Sequence, residues 1–504
     1  MARLGPEKPR PMGIQHKTCL PGTRGPILNE ARQWGQDPNV EERIFWLCDI
    51  GGSGKSTVAL TMCEEWDNTP NIVVGRFFFS KNARKTSETD AFCSVVAEDI
   101  ASKSRVITEE IQKAKQMDAQ LLERGIRYQF AELIEEPLQL VDNDIILVID
   151  AIDECKKEMR GELLRLLLDK LSSMSNLKLF ITSRPEPDIT SILQGRAVVH
   201  GMHFKMHGKE EHSNLEDIRT YVGAHLAHLL TTLQCQQLVE RSNGLFIWIA
   251  TAHLELQQVQ GPDGVETTLN SLLTRGEGGN MNQVYAGIIR RLLRERSHVV
   301  IRKVMGTLLT LFEPVSTEAL AKLTNIAPIE LARIVVSMQS VFRVENVVEF
   351  LHPTFREYLV SAHNSDMPFE STTMQSSLAV SILDTLQTDL KEDICGIDRP
   401  DEPFPKNVDV LDLDECLQRV WDVSPALPYA VRYWGSHIAP VVADENVAKV
   451  LQTFLETQIL HLVELLSLVG EIPLIRNFEE VRRGLERQRS DTTAAEVSLF
   501  ARHA

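Results

Sequence analysis

The chain has no unbroken apolar run of about 18 residues, the length a membrane-spanning helix requires. The nearest stretches, "GLFIWIATAHLEL" and "ILHLVELLSLVGEIPLI", are short or carry glutamate and read as buried helices. No apolar segment follows the basic, Pro-rich start "MARLGPEKPRPMG", so the start is not a secretory signal. The 8 cysteines are scattered over 504 residues with no C-x-x-C pair, the usage of reduced thiols in the cytosol. Basic residues are outnumbered, 53 against 70 acidic, for a net charge of −17. That balance speaks against a large nucleic-acid interface, which needs a concentrated basic patch. Internal repeats with a period of roughly 20–50 residues are absent as well.

What is present is enough chain for several domains, since 504 residues exceed what one core can bury. Residues 1–42 read as an extended, Pro- and Gly-containing lead-in that turns helical around "ILNEARQW". Five near-continuous apolar runs follow: "RIFWLC" (43–48), "NIVVGRFFFS" (71–80), "DIILVID" (144–150), "LKLFITS" (177–183) and "AVVHGMHF" (197–204). Helical stretches such as "KSTVALTMCEEW" and "GELLRLLLDKLSSM" alternate with them. Strands apolar on both sides, separated by helices, predict a doubly wound parallel α/β sheet over residues 43–205. Helical spacing then dominates residues 206–300. Residues 301–365 read as two short helices, a hairpin "VFRV-EN-VVEF" with a two-residue turn, and a closing helix, the order of a winged helix. Residues 373–504 are helical again, broken by "DRPDEPFPKN".

The sequence also lacks one particular glycine. "CDIGGSGKST" ends as a phosphate-binding P-loop should, with Gly54, Lys55 and Ser56, but where the pattern opens on glycine this chain has Asp49. A strand leads into the loop and a helix leaves it, so the backbone N–H groups of Gly51, Gly52, Ser53, Gly54, Lys55, Ser56 and Thr57 are candidates to cradle phosphate oxygens. Lys55 would neutralise the β- and γ-phosphates and the Ser56 hydroxyl would ligate Mg²⁺. "IILVIDAIDEC" ends a buried strand on Asp150, the oxygen donor a magnesium ion seeks. Asp153 or Glu154, just beyond, could orient or deprotonate an attacking water. In "LKLFITSRPEP", Thr182 or Ser183 could hydrogen-bond the γ-phosphate and Arg184 could neutralise its charge.

Together, "FWL…GGSGKST", "VIDAIDEC" and "FITSRPE" resemble the NACHT domain of the signal-transduction ATPases with numerous domains. The lead-in "HKTCLPGTRGPILNEARQW" is similar to what precedes this domain in fungal NACHT proteins related to the nephrocystin-like N-terminal domain. "RSNGLFIWIATA" and "PVSTEALAKL…LHPTFREYL" resemble that group's helical and winged-helix domains, so the likeness spans about residues 14–365. The resemblance implies a P-loop NTPase fold and a cytoplasmic, NLR-like signalling switch, closed with ADP and opened by exchange for ATP. It implies ATP or ADP with Mg²⁺ as ligands, GTP being the other candidate, and protein partners or self-association after opening. It also assigns His352 to the winged-helix histidine that reaches the ADP phosphates. Gly244 to Ile247 fall where relatives set a Gly-Leu-Pro-Leu segment against adenine, with Phe246 in place of the proline.

The second helix of the winged unit, "APIELARIVVSMQS", offers one cation, Arg333, which is too few for a DNA recognition helix. Asp49 is expected to act as a brake on affinity or turnover. A positive φ there would cost about 1 kcal/mol, and a carboxylate ~7 Å from the phosphates adds roughly 2 kcal/mol of repulsion per phosphate charge. The main expectation is a nucleotide switch with slow or weak hydrolysis. The alternative is a nucleotide-free scaffold of the same fold that acts through protein–protein contacts. A third reading, a P-loop kinase acting on a small molecule, would need an acceptor pocket and lid, which the sequence does not identify.

Overall fold

A computed structural model describes residues 17–82, 84–194, 196, 198–202, 212–259, 261–274, 280–344, 346–395, 410–469 and 476–488. The described residues up to Tyr285, with His352–Thr354, form one compact unit. Ala286–Leu351 with those from Phe355 onward form the other.

The first unit is built on five parallel strands: β1 Ile44–Cys48, β2 Ile72–Phe78, β3 Asp144–Asp150, β4 Leu177–Ser183 and β5 Val199–Met202. Their spatial order is β2-β3-β4-β1-β5. Each falls inside one of the five apolar runs, and the last two residues of the fifth run, 203 and 204, lie outside the described residues. Alternate residues face opposite sides: Ile44, Trp46 and Cys48 enter one core and Phe45 and Leu47 the other. Helices cover both sides, which explains why the strands read as continuous rather than alternating. Because β4 separates β1 from β3, its C-terminal tip stands between the loop after β1 and the carboxylate ending β3.

Helix α1, Gly25–Gln36, lies in the lead-in where "ILNEARQW" was expected to be helical. It buries Ile27, Leu28, Ala31 and Trp34 against helix α2, Lys55–Asp67. Trp34 meets Trp66 at 6.0 Å and Phe45 at 5.4 Å between ring centroids. The C-terminus of α1 is capped from inside the sheet: the Lys178 ammonium donates to the carbonyls of Gly35 (2.9 Å) and Asp37 (2.8 Å). Burial pushes the Lys178 pKa down. The described part of the lead-in, residues 17–42, is therefore packed into the sheet's fold.

Between β3 and β4 lies α3, Lys157–Ser173, and α4, Pro187–Leu193, follows β4; after β5 come α5, His212–Leu226, and α6, Phe246–Gln258. The seven cysteines with described side chains are free thiols. No helix among the described residues is long and apolar enough to cross a membrane.

In the second unit, α7 Thr317–Thr324 and α8 Pro328–Val336 precede strands β6 Phe342–Val344 and β7 Val348–Phe350, and α9, Pro353–Val360, follows. The hairpin turn differs from the expected two-residue "EN". Val344 pairs with Val348, so three residues lie between the strands. A two-residue turn would have set Phe342 opposite Glu349. The observed register instead pairs Phe342 with Phe350, rings 5.2 Å apart, and Arg343 with Glu349 at 3.5 Å. Side-chain pairing decides the register here, not turn length. Helices continue through α10 Ser371–Asp389 and α11 Leu427–Ile438, while "DRPDEPFPKN" lies outside the described residues. The buried Tyr429 hydroxyl accepts from Phe312 N–H at 3.0 Å and meets His437 Nε2 at 2.7 Å. Burial drives the His437 pKa down to about 3.

Gly35 has no room for a side chain, since an added Cβ would stand 2.4 Å from Trp66 Nε1. Gly35→Ala is expected to cost about 2 kcal/mol by overpacking the α1–α2 contact. Urea denaturation checks this; unchanged stability would mean that α1 does not depend on Trp66.

Candidate functional site

Strand β1 delivers the chain to the loop with its ladder still running: Asp49 N–H donates to Ser183 O at 3.1 Å. Asp49 is buried and does not adopt a positive φ, so the backbone strain expected of it is absent. Its Oδ1 instead accepts the N–H of Ile50 at 2.7 Å, a donor outside the Gly51–Thr57 set. The positive φ values fall on Gly52 (80°) and Gly54 (98°), where glycine tolerates them. Gly54 caps α2, which starts at Lys55 as expected. Lys55, Ser56 and Thr57 thus lie in the first helical turn, whose N–H groups have no intrahelical partner.

The loop's carbonyls are held one by one. The buried Lys55 ammonium donates to Asp49 O (2.8 Å) and Ile50 O (2.7 Å), two of its three N–H bonds. Gly52 O accepts the N–H of Ile247 at 3.1 Å, and Ser53 O accepts Arg24 Nη2 at 2.6 Å. Burial lowers the Lys55 pKa, opposed by the carboxylates of Asp153, Asp49 and Asp150, while Arg184 lowers it further.

Asp150 closes β3 and is buried. The Thr182 hydroxyl donates to Asp150 Oδ1 at 2.6 Å and accepts Ala151 N–H at 2.8 Å. Ser183 Oγ accepts from Trp46 Nε1 at 2.9 Å. Both hydroxyls considered as phosphate sensors are therefore engaged within the sheet. Ala151 takes a left-handed conformation (φ 52°), a strain of order 1–2 kcal/mol that bends the chain beyond the strand end. The bend separates the roles of the next two acids. Asp153, buried, accepts Arg184 N–H on Oδ1 (3.1 Å) and pairs with Arg184 Nε on Oδ2 (3.2 Å). Glu154 accepts Lys81 N–H at 3.0 Å, and burial, aided by Asp153, raises its pKa to about 7. Arg184 lies over the loop: a Cβ on Gly51 would stand 3.1 Å from its guanidinium carbon.

The loop, Asp153 and Arg184 are thus brought together, with Asp150 one strand away and Glu154 poised near neutrality. His352 belongs to the sheet's unit, and its Nδ1 accepts Thr354 N–H (3.1 Å) and meets Thr354 Oγ1 (2.8 Å). An accepting Nδ1 leaves the ring proton of a neutral imidazole on Nε2, the kind of donor a phosphate oxygen takes.

Sequence reading passed over Arg160 and Arg24, and it placed Ile247 in a segment facing adenine, whereas its N–H holds the loop. Arg160 of α3 donates to Asp153 O (2.9 Å) and, through two nitrogens at 2.6 Å each, to Asp188 at the start of α4, bracing the acidic turn. Arg24 and Ile247 hold the loop from outside. Arg24 lies in the resemblance-bearing "CLPGTRG", just before Gly25, the one signal that could have raised it. Phe246 lies under the Arg24 guanidinium at 4.5 Å, and the Ile247 side chain fills the space beside Gly52, whose Cβ would meet it at 2.3 Å.

Residues 22–184 match the family model described as nephrocystin 3, N-terminal, which bears out the resemblance over the loop, the acidic strand and Arg184. No curated protein matches the chain. By structure, it is similar to a signal-transduction ATPase with numerous domains, with a tetratricopeptide-repeat sensor, from Pyrococcus horikoshii. The identity is 14% and the TM-score 0.45, over 98% of this chain and 72% of that one. It is also similar to a Walker-type ATPase of Pyrococcus abyssi (14%, TM-score 0.33, 69% and 99% covered). A third likeness is to Cdc6p from Pyrobaculum aerophilum (14%, TM-score 0.33, 70% and 97% covered).

In an unfolded chain Glu154 ionises in the ordinary carboxylate range, but in the fold only near 7. The native state is therefore penalised progressively as pH rises through that window and fully above it. Glu154→Gln is expected to stabilise the protein at about pH 8, by on the order of 1–2 kcal/mol after allowance for its partial exposure, and to change nothing at about pH 4. Thermal melts at the two pH values decide it; the same effect at both would contradict the assignment.

Proposed function

We propose that the chain is an ATP/ADP-binding switch of the NACHT type with slow hydrolysis. The carrying observation is the arrangement of Lys55, braced on two loop carbonyls with one N–H left over, beneath an Arg184 fixed by Asp153. A polyphosphate placed on the loop meets main-chain N–H groups, one ammonium and one guanidinium, the complement its charge requires. The Ser56 hydroxyl and the Asp150 carboxylate are hard oxygen donors suited to Mg²⁺. When bound, the ion would neutralise charge between the β- and γ-phosphates.

The chain's own residues divide the remaining work. Lys55 and the loop N–H groups bind and orient the phosphates. Arg184, held by Asp153, offsets charge at the terminal phosphate, so Asp153 serves as its positioning partner rather than as a base. Glu154, titrating near 7, accepts the proton of an attacking water. His352 Nε2 is the proposed donor to the ADP phosphates in the closed state. The switch reading extends to an NLR-like pathway in which ATP exchange exposes surfaces for protein partners or self-association. Asp49 acts through its charge alone and weakens polyphosphate binding without abolishing it.

Titration calorimetry with Mg²⁺ is expected to detect ADP and ATP binding, lost in Lys55→Ala and about tenfold tighter in Asp49→Gly, from removal of one nearby negative charge. No binding by either the wild type or Asp49→Gly would overturn this reading in favour of the scaffold.

Phosphate release from ATP is expected to be slow and to rise with pH through a midpoint near 7, as Glu154 ionises. Glu154→Gln should abolish it and spare ADP affinity. A rate flat across that pH range, or retained in Glu154→Gln, would assign the base elsewhere.

A further inference from the structure

A trans peptide carries its C=O and the following N–H on opposite edges. Gly52 O is held by the N–H of Ile247, and Ser53 O by the Arg24 guanidinium. The N–H groups of Ser53 and Gly54 must therefore face away from those two partners. These are consecutive donors at the centre of the phosphate-binding set, and neither holding partner belongs to the loop. Arg24 comes from the lead-in and Ile247 from the start of α6.

Arg24 is itself committed further along. It is buried, in a left-handed conformation (φ 60°), with its own N–H on Asp217 Oδ2 at 3.1 Å and Nη1 on Asn214 Oδ1 at 3.0 Å. Asn214, buried, passes the connection on through its amide N–H to Gly244 O at 2.6 Å, two residues before Phe246, which lies under the guanidinium. One side chain thus ties the Ser53–Gly54 peptide to α5 and to the Gly244–Ile247 segment. The guanidinium meets the loop at a carbonyl oxygen, Ser53 O, and the guanidinium charge faces Asp217 at 3.9 Å.

We propose that Arg24 is a positioning residue that makes the shape of the phosphate loop conditional on the packing of α5 and the Gly244–Ile247 segment. The coupling runs both ways. An anion that fixes the Ser53 and Gly54 N–H groups also fixes Ser53 O, and through Arg24 it orders α5. Loosening of α5 releases the Ser53–Gly54 peptide and weakens the anion site. The proposal rests on the nucleotide reading of this loop and adds the route by which occupancy reaches the helical segment.

The test is amide hydrogen exchange of the whole protein with and without Mg·ADP, beside ADP affinity from calorimetry. In the wild type, ADP is expected to slow exchange in the loop, in α5 and at 244–258. In Arg24→Gln, ADP should bind about tenfold more weakly, for loss of a charge-assisted bond. It should still protect the loop but no longer α5. Arg24→Lys, which keeps the charge, should recover part of both. If Arg24→Gln does not fold, Asn214→Ser leaves the Arg24–Ser53 bond in place, removes the link to Gly244, and should reduce ADP-induced protection at 244–258 to what the direct Ile247 N–H bond to Gly52 O sustains. A merely structural arginine would lower thermal stability and leave the ADP-induced protection of α5 intact. That outcome overturns the proposal alone. Absence of any ADP binding by the wild type overturns the nucleotide reading and this proposal with it.

Discussion

A loop that offers its N–H groups to an anion must place its carbonyl oxygens elsewhere, because each planar peptide binds the two directions together. In this chain that constraint is met at four residues: Asp49 and Ile50 give their carbonyls to Lys55, Gly52 to Ile247 N–H, and Ser53 to Arg24. The rest of the unit can be read as the means of keeping those partners in place. Lys178 caps α1 and Trp34 packs α1 on α2, which fixes the lead-in from which Arg24 projects. The parallel sheet sets Asp150 one strand away from the loop, with the tip of β4 between them.

Charge follows the same geometry. Lys55 is buried among Asp49, Asp150 and Asp153, so the site carries more negative than positive groups before any ligand arrives. All three of those carboxylates have engagements within the fold: Asp49 accepts its neighbour's N–H, Asp150 accepts the Thr182 hydroxyl, and Asp153 holds Arg184. Glu154, which accepts the Lys81 N–H, is only half-buried by exposure and has a pKa raised to about 7. Adjacent acids in "DEC" thus receive different partners from their surroundings, Arg184 for Asp153 and the Lys81 N–H for Glu154.

Much of the architecture was legible because burial on both faces writes itself into continuous apolar strands, and because the loop motif fixes where α2 begins. The resemblance found the acidic strand and Arg184 by their residues. What stayed hidden depends on contacts distant in sequence. The strand of Thr182 was expected beside the acidic one and is, but that its hydroxyl serves Asp150 rather than a phosphate is set by side-chain contact across that pair. Arg24 and Asn214 are separated by 190 positions and meet only in the fold. The hairpin turn was misjudged because "EN" suggested a turn length, whereas pairing of Phe342 with Phe350 fixed the register. The strain assigned to Asp49 came from its place in a glycine pattern, and the observed φ removes it.

The central claim is that this loop, despite Asp49, holds a nucleotide. Mass spectrometry of the small molecules released when the purified full chain is denatured tests it most directly. The account predicts ADP in substantial proportion to protein, absent from Lys55→Ala prepared in parallel. Protein that releases no nucleotide, either as isolated or after incubation with Mg·ADP and removal of the excess, would contradict it.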